Sequence, residues 1–293
     1  MKRSPVKLNG PILCPPWSSN TLEEIYERFS GLGAIGQVWE TAGSAVATDA
    51  EGSETEFGCL IEEWKLQAPP LVKLLSAARA LSIQVHPDED AARMLGGEKK
   101  SELWYVLEAE KDAFIYYGEK EGVTAEDICL AMEERRVAEL LRKVPTKSGD
   151  VFLVPPGLIH SLGGGITVIE VQDSAGSTYR LQDISSDRET HPAESACSMR
   201  FYSDSRIREL CFSRGNGEGA LPGVMIANMR EFSASVCTGG EVSVPDGGVY
   251  MLCHEGGGRA GELSFKRGEA LFYPCSCRVF LEDGSRVIFA KGN

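Results

Sequence analysis

The chain has 293 residues, a formal net charge of −13 and a hydrophobic content of 42%. This length accommodates one large or two modest globular domains with an ample core. The negative charge argues against nucleic acid and anionic membrane surfaces as partners, because both repel an acidic protein. No apolar run is long enough to span a bilayer, and none follows Met1–Pro5 as a secretion signal would.

Glycine and proline divide the chain into short β-rich runs, with 32 glycines and 14 prolines in all. Such a pattern is typical of β-sandwiches and β-barrels. We therefore expect a mainly β chain with small helical insertions. The nine cysteines are odd in number and scattered. Without a secretion signal, they indicate reduced thiols in the cytoplasm.

Three segments of the N-terminal two thirds predict helices. Thr21–Glu24 opens a short one, and residues 88–99 begin with acidic residues and end at Gly96-Gly97. The clearest helix runs from Thr124 to about Val144, with basic residues in its last turn. Between and after these helices, alternating runs predict strands at 102–107, 113–117, 151–154, 167–172 and 177–182.

From about residue 195 the chain changes to a second β-rich unit. Its candidate strands are 224–229, 248–253, 270–273, 278–281 and 286–290. We predict a metal-binding domain at 1–194, with a helical insertion at about 124–144, and a C-terminal β domain at 195–293 that has no metal site.

The candidate metal ligands fall in three segments, 81–87, 99–105 and 149–160. Gln84 and His86 are two apart in a predicted strand that ends at Pro87, so their side chains share one face. If Glu102 and His160 lie near Gln84 and His86, the four side chains offer a carbonyl oxygen, two imidazoles and a carboxylate. This mixed nitrogen and oxygen set suits zinc, with manganese, iron or cobalt as other candidates.

The spacing of the third segment carries a family resemblance. Gly149, Pro155, Gly157 and His160 are spaced as in the second metal-binding motif of the cupins. The first cupin motif normally has two histidines, and here it has Gln84 and His86. Together with Lys-x-Glu before Trp-Tyr at 100–105 and Ser-Thr-Tyr-Arg at 177–180, the chain resembles type I mannose-6-phosphate isomerase from about residue 36 to 188.

The resemblance implies a fold of two cupin jelly-roll units, of which only the first holds a metal. It implies one Zn²⁺ per chain, with another divalent transition metal possible, bound by Gln84, His86, Glu102 and His160. The catalytic residues implied are Arg180, Lys100 and Glu170. The substrate-binding candidates are Ser82, Lys99 and Arg188.

The activity implied is a metal-dependent aldose–ketose isomerase. It would interconvert mannose 6-phosphate and fructose 6-phosphate through an enediol intermediate. Lys100, Glu170 and a metal-bound water are candidate proton carriers, and the sequence does not choose among them. Arg180 would stabilise an oxyanion or fix sugar hydroxyls. The expected partner is a small hexose phosphate, and the expected assembly is a monomer or homodimer.

Two alternatives remain open from the sequence. A non-catalytic sugar-binding or regulatory cupin would keep the fold and bind metal or sugar without turnover. An iron-dependent cupin dioxygenase would favour a first motif richer in histidine than the one that contains Gln84. Measuring turnover of mannose 6-phosphate separates the isomerase from both.

Overall fold

The computed structural model describes residues 2–173, 176–211 and 221–293. Its strands, numbered along the chain, are β1 Val6–Asn9, β2 Ile12–Leu13, β3 Gln37–Trp39, β4 Val46–Thr48, β5 Glu54–Glu56, β6 Leu71–Ala77, β7 Ile83–Val85, β8 Glu102–Ala109, β9 Phe114–Glu119, β10 Leu141–Pro145, β11 Val151–Val154, β12 His160–Leu162, β13 Ile166–Gln172, β14 Tyr179–Gln182, β15 Val224–Asn228, β16 Phe232–Val244, β17 Val249–Glu255, β18 Gly257–Ala260, β19 Leu263–Lys266, β20 Ala270–Tyr273 and β21 Cys277–Gly292. Its helices are α1 Thr21–Ile25, α2 Phe57–Glu63, α3 Glu89–Leu95, α4 Ala125–Glu133, α5 Val137–Leu140, α6 Pro192–Ser198 and α7 Asp204–Leu210, with a 3-10 turn at Glu27–Phe29. Strands dominate, and the prediction of a mainly β chain is confirmed.

The described residues form two compact units. One is drawn from Met1–Leu13, Asn20–Leu74 and Arg214–Asn293, and the other from Cys14–Ser19 and Leu75–Ser213. The N-terminal segment groups with the C-terminal strands because β1 pairs with β20 on one side and with β4 on the other. The sequence places a boundary at residue 194 instead, and that division into domains stays a prediction.

The first unit is built on one ten-stranded sheet. Its order is β15, β16, β21, β17, β20, β1, β4 and β5, with β18 pairing to β19 and β21. In the first half of β21 the side chains alternate, because Val279 and Leu281 are buried while Arg278 and Phe280 are exposed. The inward residues pack into a core with Phe265, Tyr273 and Phe289 among others.

Two strand predictions in this unit are corrected. The strands predicted at 278–281 and 286–290 are parts of one strand, β21. Strand β16 was not predicted, because Gly239-Gly240 suggest a turn. In the structure β16 continues through these glycines, and its pairing with β21 shifts register between Thr238 and Gly240. A β-bulge of this kind lets glycine stand inside a strand.

The second unit carries the candidate site. One of its sheets has the order β10, β9, β12, β7 and β14. In the other, β8 lies between β11 and β13. A core of apolar side chains, including Trp104, Ile115, Phe152 and Val168, is buried in this unit. The strands predicted at 102–107, 113–117, 151–154 and 167–172 correspond to β8, β9, β11 and β13.

Helix α3 follows the predicted start and stop signals. The side chain of Asp88 accepts a hydrogen bond from the backbone N of Ala91, 2.9 Å away, and so caps the first turn. Gly96 ends the helix with a φ of 67°, a left-handed conformation that glycine adopts without steric cost. The helix predicted from the charges of residues 88–99 is therefore confirmed.

The helix predicted from Thr124 to about Val144 is correct only at its start. Thr124 caps α4 in a capping box with Asp127. The helix ends at Glu133, and Arg135 has a positive φ of 55°. After the short helix α5, residues 141–145 form β10, which pairs with β9. This antiparallel pairing outweighs the helical pattern of the sequence, because tertiary contacts override local propensity.

All nine cysteines are free thiols in the structure, and all lie among the described residues. Burial raises the pKa of Cys253 to about 12 and that of Cys211 to about 11. These thiols behave as small apolar core residues. Among residues 2–173, 176–211 and 221–293, no helix is long and apolar enough to cross a membrane.

His254 gives the first unit a pH-dependent stability. Its Nδ1 lies 2.8 Å from the Tyr26 hydroxyl, and burial lowers its pKa to about 4, partly opposed by Glu255. In the unfolded chain the His254 imidazole is protonated near pH 6.5, whereas in the folded chain it is protonated only near pH 4. Stability is thus lost as pH falls through this window, by about 1–2 kcal/mol between about pH 7 and pH 5.

Urea unfolding at both pH values measures this loss of stability. In His254→Asn this part of the loss disappears, and an unchanged pH dependence in that variant would contradict the assignment.

Candidate metal centre

Three strands bring the predicted ligand residues together. Gln84 lies in the middle of β7 and pairs directly with His160, the first residue of β12. His86 follows the end of β7, where Pro87 stops the strand as the sequence indicates. Glu102 is the first residue of β8. Residues that are distant in sequence therefore meet, with Glu102 coming from a different sheet than Gln84 and His160.

His86, Glu102 and His160 form a compact and fully buried group. One possible ligand atom from each lies within 4.8 Å of those of the other two. The Nε2 of His86 is 3.0 Å from Glu102 Oε1, and the Nε2 of His160 is 3.7 Å from Glu102 Oε2. The centroids of the two imidazole rings lie 4.7 Å apart. The three side chains thus point their ligand atoms at one small volume.

Backbone carbonyls orient both imidazoles. His160 Nδ1 lies 2.8 Å from the carbonyl oxygen of Leu158, and His86 Nδ1 lies 3.1 Å from that of Ser177. A carbonyl can only accept, so each Nδ1 carries the proton and each neutral ring keeps a lone pair on Nε2. Histidines that bind metals are held in this way, with the second nitrogen bonded to a backbone or carboxylate oxygen.

The electrostatics of the group favour ligands in their deprotonated forms. Burial lowers the pKa of His86 to about 4, an effect increased by the Lys100 cation, and burial also lowers the pKa of His160. Burial alone would raise the pKa of Glu102. Lys100 and the two histidines outweigh this effect and hold that pKa well below its usual range. Metals bind neutral imidazole and ionised carboxylate, which are the forms that these shifts favour.

The contacts inside the group fit a cation. Glu102 Oε2 and His86 Nε2 have no hydrogen-bond partner among the described residues, although His86 Nε2 lies 3.0 Å from Glu102 Oε1. The lone pair of neutral His86 Nε2 therefore faces a carboxylate oxygen, an arrangement that a shared proton or a metal ion relieves. The low pKa of His86 disfavours the proton, so the arrangement favours a metal ion.

Gln84 completes the predicted set through its side-chain amide. Its Nε2 lies 3.3 Å from His160 Nε2. A rotation of the amide by 180° would place its oxygen beside the same imidazole. Two imidazole nitrogens, one carboxylate and one amide oxygen suit zinc and related divalent ions.

Lys100 and Glu170 adjoin the ligand group. Lys100 Nζ lies 2.6 Å from Glu102 Oε1, and it donates to Thr178 Oγ1 at 3.4 Å. Burial would lower the pKa of Lys100, but the carboxylates of Glu102 and Glu170 raise it. Glu170 is 4% exposed and accepts a hydrogen bond at 3.0 Å from the indole Nε1 of Trp104. Both predicted proton carriers thus border the candidate metal centre.

Arg180 lies on β14, directly opposite Gln84 on β7. It is half-buried, and its Nε has no hydrogen-bond partner among the described residues. Strand β14 is at the edge of its sheet, and its pairing shifts register between Arg180 and Gln182. Gln182 turns to accept a hydrogen bond from the backbone of Ala138. The register places Arg180 beside the ligand Gln84, and its catalytic role stays a prediction.

The three predicted substrate-binding residues have different surroundings. Ser82 is buried two residues before Gln84, and Lys99 is half-buried next to Lys100. Arg188 is exposed and donates from its Nε and Nη2 to Asp183 at 3.0 and 3.2 Å. Burial would raise the pKa of Asp183, but hydrogen bonds from Arg188 and Ser186 lower it to about 2. Arg188 therefore fastens its own loop, and any phosphate contact stays a prediction.

Two contacts of the site were not predicted. Trp104 holds Glu170 and packs its ring edge on His160, with 5.4 Å between the ring centroids. Thr178 accepts from Lys100 and lies 3.4 Å from His86 Nδ1. The sequence contained one signal for each, because Trp104 is two residues after Glu102 and Thr178 two before Arg180. In a strand, that spacing puts side chains on a common face.

Gly157 shapes the turn that leads to His160. Its φ is +86°, and a Cβ would lie 2.7 Å from the Cβ of Arg200. Gly149 has a φ of +88° with open space around its Cβ position, so it is a matched control. We expect Gly149→Ala to cost about 1–3 kcal/mol of stability from backbone strain, and Gly157→Ala about 1–3 kcal/mol more from the clash. Urea unfolding measures both, and equal costs would contradict the close approach to Arg200.

Comparison with known proteins agrees with this site. Residues 39–119 match the family model described as phosphomannose isomerase type I, catalytic domain. This stretch contains Gln84, His86 and Glu102. This part of the chain is therefore similar to the catalytic domain of type I phosphomannose isomerases.

Relatives named as mannose-6-phosphate isomerases match a part of this chain. The mannose-6-phosphate isomerase ManA of Bacillus subtilis is 42% identical over 117 residues, which are 39% of this chain and 37% of the relative. The mannose-6-phosphate isomerase of Streptococcus mutans is 42% identical over 116 residues, 39% of this chain and 36% of the relative. The matches thus span less than two fifths of these relatives.

A solved phosphomannose isomerase structure shares the fold over nearly the whole chain. The mannose 6-phosphate isomerase of Bacillus subtilis superposes with a TM-score of 0.74 and 21% identity, covering 98% of this chain and 99% of that one. At this identity the likeness concerns the fold alone. It agrees with the expected pair of cupin-type β units.

Proposed function

We propose that this protein is a metal-dependent aldose–ketose isomerase that interconverts mannose 6-phosphate and fructose 6-phosphate through an enediol. The observation that carries the proposal is the buried group of His86, Glu102 and His160 with Lys100 ion-paired to it. The match of residues 39–119 to the type I phosphomannose isomerase model supports the same reaction. The matched stretch includes three of the four proposed ligands, Gln84, His86 and Glu102.

Gln84, His86, Glu102 and His160 would hold one Zn²⁺, or another divalent transition metal. When bound, such an ion supplies Lewis-acid polarisation of substrate oxygens next to the carbon that loses its proton. A further structural neighbour supports this choice. The mannose 6-phosphate isomerase of Salmonella typhimurium, solved with fructose 6-phosphate and zinc, has a TM-score of 0.75 and 17% identity, covering 99% of this chain and all of that one.

The proton transfer needs one acceptor and one donor near the substrate carbonyl. Isomerisation removes a proton from C2 of the aldose and returns one to C1, while a second proton moves from the C2 hydroxyl to O1. Glu170 offers a carboxylate that can accept the carbon-bound proton. Lys100, held as an ammonium against Glu102, offers a donor for the oxygens. Positioned groups of this kind contribute roughly 10²–10⁴-fold in rate.

The substrate's anionic end requires local positive charge in a protein of net charge −13. Arg180, beside Gln84, would bind sugar hydroxyls or a developing oxyanion. Ser82, Lys99 and Arg188 would contact the phosphate. The partner is therefore a small hexose phosphate. We further propose a cytoplasmic monomer or homodimer, and the nine free thiols support the cytoplasmic location.

Isotope exchange tests the reaction type directly. The zinc-loaded protein is incubated with fructose 6-phosphate in D₂O, and NMR follows the C1 hydrogens and any mannose 6-phosphate formed. An enediol mechanism predicts either deuterium at C1 or the aldose product. A non-catalytic sugar-binding cupin would show substrate binding with neither change, and this outcome would refute the isomerase proposal.

A further inference from the structure

Trp104 contacts two parts of the candidate site at once. Its indole Nε1 donates a hydrogen bond to Glu170 Oε2 at 3.0 Å, and its ring edge meets the His160 ring at an interplanar angle of 70°. It is 2% exposed, so the indole has one fixed environment. A proposed metal ligand and a proposed proton carrier are thus connected through one rigid side chain.

Strand pairing fixes this arrangement. Trp104 on β8 lies directly opposite Glu170 on β13, and the adjoining pairs keep the same register through Glu102 and Gln172. Side chains of directly opposed residues stand close together on one face of the sheet. Indole has only two side-chain torsions and a single N–H donor, so it aims one hydrogen bond in one direction.

Glu170 needs such a donor. It is 4% exposed, and a carboxylate buried to this extent is costly unless donors compensate its charge. The bond from Trp104 turns Oε2 toward β8 and thereby sets the direction in which the rest of the carboxylate points. A misplacement of about 1 Å in a reacting group costs on the order of 10²-fold in rate.

We propose that Trp104 is a positioning residue that aligns the Glu170 carboxylate with the metal centre while its ring supports His160. This role rests on the proposed isomerase function, because it assigns Trp104 to the same reaction. The indole does not exchange a proton with the substrate. Its N–H acts on Glu170, and its ring acts on the orientation of His160.

The Trp104→Phe variant separates these two contributions. Phenylalanine keeps an aromatic ring next to His160 and removes the N–H donor together with part of the indole ring. We expect kcat to fall by about 10–100-fold while KM and the zinc dissociation constant change by less than about threefold. Kinetics of the zinc-loaded enzyme and competition with a chromophoric chelator give the three values.

Trp17→Phe is the matched control. Trp17 is 1% exposed, and its Nε1 has no hydrogen-bond partner among the described residues. The control removes a buried indole without removing a hydrogen bond, and its kcat should stay within about threefold of the wild-type value.

If Trp104→Phe does not fold, benzothienylalanine at position 104 keeps the indole shape and removes the donor. If the folded variant at position 104 has the same kcat as the wild-type protein, the inference is overturned.

A readout that needs no turnover tests the contact itself. In ¹H–¹⁵N spectra the indole N–H resonance absent from Trp104→Phe belongs to Trp104. We expect it at low field, and we expect Glu170→Gln to move it to higher field because a neutral acceptor makes a weaker bond. A resonance that does not move in Glu170→Gln would overturn the inference. Absence of isomerisation by the wild type would refute the proposed function instead, and the resonance would still decide the contact.

Discussion

Replacing His160 by alanine should remove zinc binding and turnover together. The change deletes one of the two buried imidazoles that face Glu102. Loss of an outer-sphere partner alone costs a metal site about 10–100-fold in affinity, so loss of a ligand should cost at least about 10²-fold. Loss of Lewis-acid stabilisation should lower kcat/KM by on the order of 10³-fold or more. Metal analysis after dialysis and the isomerase assay measure the two effects.

The control for His160→Ala is His254→Asn. His254 is also deeply buried, but it is not one of the proposed metal ligands. This control should keep one zinc per chain and wild-type kcat. Circular dichroism shows whether His160→Ala has folded. A folded His160→Ala protein that keeps one tightly bound zinc would contradict the assignment of His160 as a ligand.

Replacing Lys100 by methionine should have the second largest effect, with a different signature. Methionine fills the space of the buried lysine and removes the ammonium that is paired with Glu102. In the metal-free protein, Glu102 then remains as a buried charge, and stability should fall by about 3–5 kcal/mol. With zinc bound, kcat should fall by about 10²–10⁴-fold through loss of the proton donor. Zinc affinity should be retained or increased, because a neighbouring cation has been removed.

Lys111→Met provides the control for Lys100→Met. Lys111 is exposed in the turn between β8 and β9, so the same substitution removes a lysine in open solvent. It should leave stability, zinc affinity and kcat at wild-type values. The role of Lys100 would be contradicted by wild-type kcat in Lys100→Met, or by weaker zinc binding, which would make Lys100 a support of the metal site and not a proton donor.

Local chemistry explains why the ligand segments could be predicted from the sequence. The alternation of side chains in a strand put Gln84 and His86 on one face, and Pro87 ended the strand. The acidic start and the glycine stop of α3 were equally local signals, and the helix has the Asp88 cap and the Gly96 end that they predict. Such features depend on residues a few positions apart, which the sequence displays directly.

Features that depend on distant pairing could not be predicted. The end of the helix predicted at 124–144 becomes β10 because it pairs with β9. The bond from Trp104 to Glu170 depends on the register of β8 against β13, across 66 positions of sequence. A hydrophobic pattern gives the face of a strand, but it does not give the partner opposite each residue. The pairing of β1 with β20 likewise joins residues from the two ends of the sequence.

The most direct test of this account is isomerisation of mannose 6-phosphate by the purified protein before chelation, after chelation and after zinc is restored. The account predicts turnover that is lost on chelation, returns with about one zinc per chain, and does not return in His160→Ala. Stoichiometric zinc bound at the His86, Glu102 and His160 site with no turnover of mannose 6-phosphate or fructose 6-phosphate would contradict it.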